Sequence, residues 1–191
     1  MKADLPKEHI LAKLYYDIGK QATNFSLQHS HKQDEETIWT KRHTFLELSE
    51  DPHKNTWMIQ HCNHRQILKN EIILDFDRTI PKDRALDDYD VKRIIRQLTR
   101  DDFRFCVYHS GSKGVHIHIY WNPLAASSTR ERVEFRELLI ESYTKRFAVG
   151  LDKQLALDSA MIALEHVPHW KTGNRKTLVL NNGVEEWPTT Q

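Results

Sequence analysis

Two acids, Asp75 and Asp77, close a short apolar run, Glu71-Ile-Ile-Leu-Asp-Phe-Asp77. Side chains alternate faces along a strand, so both carboxylates point the same way while Leu74 and Phe76 point into a core. At about 7 Å apart on one sheet face they repel each other unless a cation sits between them. A second segment, His109-Ser-Gly-Ser-Lys-Gly-Val-His-Ile-His118, joins a donor-rich loop to a strand that presents His116 and His118 together. Loop N–H groups, the Lys113 ammonium and imidazoles suit an anion. Read together, the two segments predict a divalent-metal site facing a polyphosphate cradle.

Two further groups could join them. Leu155-Ala-Leu-Asp158 ends an apolar tripeptide in an acid. That acid suits either a third metal-facing carboxylate or the cap of a helix starting at Ser159. His169 and Lys171 alternate in register ahead of Gly173 and suit phosphate contact. Other chemistries fit some of the same letters. Asp75-Phe-Asp-Arg-Thr-Ile80 matches the opening motif of haloacid-dehalogenase-type phosphatases, with Asp75 as phosphorylated nucleophile and Asp77 as acid/base. Such an enzyme needs its Ser/Thr at the end of a parallel strand with a helix next, whereas Ser110 precedes a tight turn and a strand. His116-Ile-His118 also fits the metal motif of rolling-circle nucleases, with Tyr143 as nucleophile, but that leaves Asp75, Asp77 and the loop without roles.

The elements that must position these groups follow from periodicity. Helical spacing predicts helices over Lys7–Lys20 and Asp90–Thr99, the latter with Val91, Ile94, Ile95 and Leu98 inward. A third helix runs from Thr129 to about Ala148, capped by Ser127 or Ser128 and ended by Gly150. Strands are predicted over Thr44–Leu48 and Thr56–Gln60, split by a turn at Asp51-Pro52, and over Ile72–Phe76, Phe103–Tyr108, Val115–Trp121, Leu155–Leu157 and Lys176–Leu180. Gln28–Glu36 and Pro81–Asp87 read as loops and Ser159–His166 as helical. The order predicts an α+β fold: an antiparallel-rich, RRM-like palm over 71–191 with helices on one face. A small N-terminal α/β module over 1–70 completes a single domain.

Composition narrows the class. With 29% charged and 39% apolar residues, the 191-residue chain reads as globular rather than disordered. No apolar run approaches the roughly 18 residues that span a bilayer, and the first residues lack the apolar core of a signal peptide. Two cysteines make no disulfide framework, so a reducing, cytoplasmic setting is expected. A net charge of +1 does not demand a nucleic-acid partner. Local clusters are more suggestive: Lys92, Arg93, Arg96 and Arg100 on one segment, and Lys171, Arg175 and Lys176 on another. Either could equally be a solvated surface. His61-Cys62-Asn-His64 has one Cys and no second pair, so it reads as structural rather than as a zinc knuckle.

In order and spacing, Asp75-Phe-Asp77, Ser110-Gly-Ser-Lys-Gly-Val-His116, Asp158 and His169-Trp-Lys-Thr-Gly173 resemble the motifs of the archaeo-eukaryotic primase superfamily. That group includes replicative primase small subunits, primase–polymerases and the polymerase domain of bacterial end-joining ligases. The resemblance covers residues 71–180. It implies a template-dependent nucleotidyltransferase, a DNA primase or primase–polymerase working by two-metal-ion phosphoryl transfer. It implies that Asp75, Asp77 and Asp158 hold two Mg²⁺ or Mn²⁺ ions. Ser110, Ser112, Lys113 and His116 would then hold an incoming NTP or dNTP, flanked by His169 and Lys171. The implied partners are a single-stranded DNA template and an accessory primase subunit or helicase, with no membrane. The chain departs from the pattern at three places: a short Asp158-to-His169 segment, Ala160-Met161 in place of Val-Thr, and Glu165 near where an arginine is common. An inactive, nucleic-acid-binding relative is the non-enzymatic alternative, against which the retention of all three acids speaks.

Overall fold

A computed structural model describes residues 26–33, 36–44, 62–76, 78–165, 168–169 and 171–184. The expected helix over Lys7–Lys20, the strand Thr56–Gln60, the Asp51-Pro52 turn, Asp77 and all but Thr44 of the strand Thr44–Leu48 lie outside the described residues.

The principal sheet is built from the runs richest in alternating β-formers. Strand β6 (Glu71–Phe76) pairs antiparallel with β8 (Val115–Tyr120), β8 with β7 (Arg104–His109), and β7 with β10 (Thr177–Asn182). One face carries Ile72, Leu74, Phe76, Phe105, Val107, Ile117 and Ile119, all buried in a single core. Against it lie α1 (Tyr89–Arg100), through Val91, Ile94 and Leu98, and α3 (Thr129–Phe147), through Ile140, Tyr143 and Phe147. The Asp88 carboxylate caps α1 by accepting from the N–H groups of Asp90 and Val91. Ser128 and Glu131 form a reciprocal capping box at the start of α3. Ala148, at φ 54°, ends α3 in the left-handed conformation, where Gly150 had been expected to do so. A short α2 (Pro123–Ala126) precedes it.

The other face of this sheet is covered by a second one. It has the order β4-β1-β5-β9, from β1 (Ser26–Gln28), β4 (His43–Thr44), β5 (His64–Gln66) and β9 (Met161–Ala163). A hairpin of β2 (Ser30–Gln33) and β3 (Glu36–Trp39) interrupts it. Ile73, Ile67, Leu155 and Ile162 form a second apolar cluster between the sheets.

Three expectations are corrected here. Gln28–Glu36 is not a loop but contributes to three strands, because a two-stranded ribbon satisfies its own backbone and tolerates polar composition. The described part of Ser159–His166, residues 159–165, is not helical: Met161–Ala163 is drawn onto the open edge of β5. Leu155–Leu157 is not a strand but the end of a 3₁₀ turn, Lys153–Ala156, held by the Asp152 side chain and burying Leu155 and Ala156. The class itself stands as expected, α+β with antiparallel sheets and helices on one face. Among the described residues no helix is long and apolar enough to cross a membrane.

Candidate active site

Strand register sets the heart of the site. Asp75 and His116 are direct cross-strand partners of β6 and β8, and His116 Nε2 lies 3.4 Å from Asp75 Oδ1. The Asp75 side chain stays 24% exposed while that of His116 is 8% exposed, so the acid faces outward and the imidazole backs it. Burial first, then the charges of Lys176 and His118, hold His116 well below the ordinary imidazole value. The ring is therefore neutral at pH 7. Its Nδ1 is buried with no hydrogen-bond partner among the described residues. Such an orphan is costly and fits an atom whose partner arrives with a ligand.

The hairpin loop between β7 and β8 is clamped on three sides. Ser110 Oγ accepts from the N–H groups of Ser112 at 3.2 Å and Gly114 at 3.1 Å, leaving its own proton to donate outward. His109 Nδ1 accepts from the Gly111 N–H at 3.3 Å, so Nε2 carries the proton and donates to the Ile80 carbonyl at 3.2 Å. The Lys113 carbonyl accepts from the Ile80 N–H at 2.6 Å, and Lys113 is an exposed residue of the loop. Gly111 has φ +80°, and a Cβ there would lie 2.7 Å from the Asn174 carbonyl oxygen. At Gly114 a Cβ would collide with the Phe76 carbonyl oxygen. Both glycines are thus dictated by backbone closeness.

A second turn closes on this loop. Pro168 and Arg175 form an isolated antiparallel bridge, and the His169 N–H reaches the Asn174 carbonyl at 2.7 Å. Thr172 Oγ1 donates to the Gly111 carbonyl at 2.6 Å, docking the turn on the Ser-Gly-Ser-Lys-Gly loop. His169, half-buried, adds to the forces that keep His116 neutral, so the two rings are within electrostatic reach. Lys171 stands at the exposed rim. The structure therefore brings Asp75, Ser110, Ser112, Lys113, His116, His169 and Lys171 to one edge of the sheet.

Asp158 is not brought there. Arg132 and Arg136, one turn apart on α3, both grip its carboxylate: Arg132 Nε at 3.0 and 3.1 Å and Arg136 Nη1 at 2.6 Å. Arg136 also donates to the carbonyl oxygens of Glu71, Leu68 and Lys69, which ties Asp158 to the opening of β6. Asp75 lies four residues farther on, about 13 Å along the strand. Burial pushes the Asp158 carboxyl up, but the hydrogen bonds from both arginines outweigh it and keep the group ionised. In this structure two buried guanidiniums, rather than a cation, neutralise the Asp158 carboxylate. The missed signal was Arg132 and Arg136 at i, i+4 on an otherwise apolar helix face. Among the described residues no three His, Cys, Asp or Glu side chains are placed to share a metal ion. Asp75 beside His116 fits one ligand of a divalent cation, and Asp158 as held here does not.

The rival chemistries meet this geometry poorly. β6 runs antiparallel to β8 and Ser110 sits in a hairpin, so the parallel strand-then-helix frame of the phosphatase reading is absent from this sheet. Tyr143 is buried with Ile117 on the helix side, across the sheet from His116 and His118, and cannot act with them as a nucleophile.

No protein-family model matches the sequence, and no curated protein is significantly similar to it. A solved structure does match: the polymerase domain of Mycobacterium tuberculosis Ligase D in complex with DNA. It aligns with a TM-score of 0.60 over 91% of this chain and 79% of that chain, at 11% sequence identity. The chain shares the fold of that polymerase domain.

On this fold lies a feature that the motifs did not announce. Arg65, Glu71, His118, Glu165 and Lys176, each no more than 1% exposed, form one buried network. Arg65 bridges both acids, with Nη1 and Nη2 at 2.8 Å from Glu71 and Nε and Nη2 at 2.9 and 2.8 Å from Glu165. Lys176 Nζ donates to Glu165 Oε1 at 3.0 Å, the Ala163 carbonyl at 2.9 Å and His118 Nε2 at 2.9 Å. Since a lysine only donates, Nε2 accepts, and Nδ1 carries the proton given to Glu71 Oε1 at 2.7 Å. Burial, then the Lys176 charge, lowers His118 to about 4, which fits this neutral tautomer. Burial opposes ionisation of Glu71 and Glu165, yet Arg65 and its neighbours hold both well below the carboxylate range. Two cations and two anions therefore balance around a neutral ring.

The network joins β5, β6, β8 and the approach to β10, locking the second sheet onto the first behind His116. His116 and His118 rings stack at 6.2 Å. His118 is consequently structural. Glu165, unexplained in the sequence as a departure from the family pattern, is the partner of Arg65.

Proposed function

We propose that the chain is a template-dependent nucleotidyltransferase, a primase or primase–polymerase catalytic domain spanning residues 1–191. What supports the reading most is one juxtaposition: Asp75 cross-strand from a neutral His116, fronted by the 110–114 loop and the 169–175 turn, on a polymerase-domain fold. Asp75 and Asp77 would hold Mg²⁺ or Mn²⁺. Bound there, the metal lowers the pKa of the attacking 3′-hydroxyl and offsets the charge that builds on the leaving pyrophosphate. Lys113, the loop N–H groups and the Ser110 and Ser112 hydroxyls would bind the triphosphate oxygens, positioning more than reacting. His169 and Lys171 would close the other side of the phosphates. Asp158 enters as the anchor of Arg132 and Arg136 rather than as a cation ligand.

His116 has a particular task in this reading. With Nε2 toward Asp75, its Nδ1 can donate to a phosphate oxygen only if the ring becomes imidazolium. A triphosphate beside it favours that change. A single-stranded DNA template would be held mainly through its phosphates, so its binding falls steeply with salt.

The decisive experiment incubates the protein with labelled NTPs or dNTPs, Mn²⁺ and single-stranded template. Template-dependent products that vanish in an Asp75→Ala/Asp77→Ala protein are expected. Phosphate release from a simple monoester, or template binding without incorporation under any of these conditions, would overturn the assignment.

A further inference from the structure

We propose that the helical face, on the far side of the sheet from the cleft, carries a second nucleic-acid site: a groove between α1 and α3 that takes the sugar–phosphate backbone of a DNA strand. It goes beyond the catalytic reading and requires no nucleotidyl transfer.

Tyr89, Arg93, Arg96 and Arg100 stand at i, i+4, i+7 and i+11 of α1, a single stripe opposite the buried Val91, Ile94 and Leu98. Arg146, in the last turn of α3, faces the stripe across a groove of about 330 Å³ lined by Arg93, Arg96, Gln97, Arg100, Arg146 and Phe147. Four guanidiniums thus line one concavity. An aromatic ring holds two of them: Phe147 takes Arg93 at 5.0 Å and Arg146 at 5.6 Å from its ring centre. The nearby carboxylates sit at the ends of the stripe, Asp90 at 3.7 Å from Arg93 and Asp101 accepting from Gln97 at 2.7 Å. Among the described residues Arg96, Arg100 and Arg146 make no ion pair. In a chain of 28 basic and 27 acidic residues, acids were available to neutralise them, and the fold leaves the cluster open.

Dimensions and chemistry favour a polynucleotide. Arg93 to Arg100 spans about 10 Å of helix axis, which matches roughly three phosphates of one DNA strand. Tyr89, 71% exposed, continues the stripe; Arg93 lies over its ring at 5.1 Å, and the opposite face is the one on which an unpaired base can stack. An acidic peptide would use the arginines but would have no need of the exposed ring. The helix layer and the whole sheet separate this groove from Asp75, so the nucleotides it holds are not those in the cleft.

The test is anisotropy of a labelled 30-nucleotide single-stranded DNA across a salt series. Wild type is compared with Arg96→Ala/Arg100→Ala/Arg146→Ala and with Tyr89→Ala. The triple variant should keep its melting temperature, lose at least about tenfold in affinity at low salt, and flatten the log–log salt slope by about 2. Tyr89→Ala should weaken single-strand binding roughly fivefold and leave the salt slope alone. An unchanged Kd and slope in the triple variant would overturn the proposal. So would polyglutamate of matched charge competing as well as unlabelled DNA, since that would make the groove a dock for an acidic protein. Incorporation by the Asp75→Ala/Asp77→Ala protein is scored separately, so failure of the catalytic reading leaves this result interpretable.

Discussion

Replacing Lys176 by methionine shortens the side chain by one atom and deletes its charge inside a fully buried network. Three contacts go at once: to Glu165 Oε1 at 3.0 Å, to His118 Nε2 at 2.9 Å and to the Ala163 carbonyl at 2.9 Å. Breaking a buried ion pair from one side costs about 3–5 kcal/mol, mostly because the remaining charge is stranded. Glu165 keeps two hydrogen bonds from Arg65, so the lower end applies, about 3 kcal/mol. In a chain of this size that corresponds to roughly 6–12 °C in Tm. Urea unfolding followed by far-ultraviolet circular dichroism at pH 7 measures it directly. Adding Glu165→Gln to Lys176→Met removes the stranded charge, so the double variant should lose clearly less than the sum of the singles. A loss below about 1 kcal/mol for Lys176→Met would refute the reasoning, as would full additivity in the double variant.

Acid should weaken the fold before any carboxylate titrates. His118 is held at about 4 against an ordinary 6.5, so the unfolded chain takes up a proton that the folded one refuses, and stability falls as pH drops from 6.5 towards 4. The His118 share of that window is about 3 kcal/mol, added to what His64 and His116, both also held low by burial, contribute. Urea midpoints at pH 7, 5.5 and 4 read the total, and His118→Asn should remove that share. Below about pH 4.3 a second loss is expected, because Glu71 and Glu165 take up protons in the unfolded chain while the fold, which holds both low, keeps them ionised. Asp158→Asn should cost about 2–3 kcal/mol by exposing Arg132 and Arg136 to each other, while template-dependent incorporation persists. Loss of incorporation with unchanged stability would restore Asp158 as a cation ligand. Gly114→Ala forces the 110–114 loop off the Phe76 carbonyl and should raise the KM for triphosphate at least about tenfold, with only a small change in Tm. Triphosphate binding should take up a proton at His116, so calorimetry at pH 8 in buffers of different ionisation enthalpy should show uptake in wild type and not in His116→Asn.

Local pattern carried much of this protein. Alternation in Glu71–Phe76, Arg104–His109 and Val115–Tyr120 was enough to read the palm strands, and 3.6-residue spacing marked the helices Tyr89–Arg100 and Thr129–Phe147 to within a residue or two. The Ser-Gly-Ser-Lys-Gly hairpin was legible too, because turn chemistry is local and its glycines are demanded by backbone approach. Short pieces without a period were not: Met161–Ala163 became a strand only because the edge of β5 was open to receive it. The partners of charged side chains were hidden for the same reason. Asp158 looks like a metal ligand in one dimension, and nothing nearby in the chain says that Arg132 and Arg136 reach it first. Arg65 and Glu165 are 100 residues apart, and their pairing exists only once two sheets stack and shut out water. Periodicity is a property of neighbours along the chain, whereas the protonation and pairing of a buried charge depend on whatever folding brings beside it.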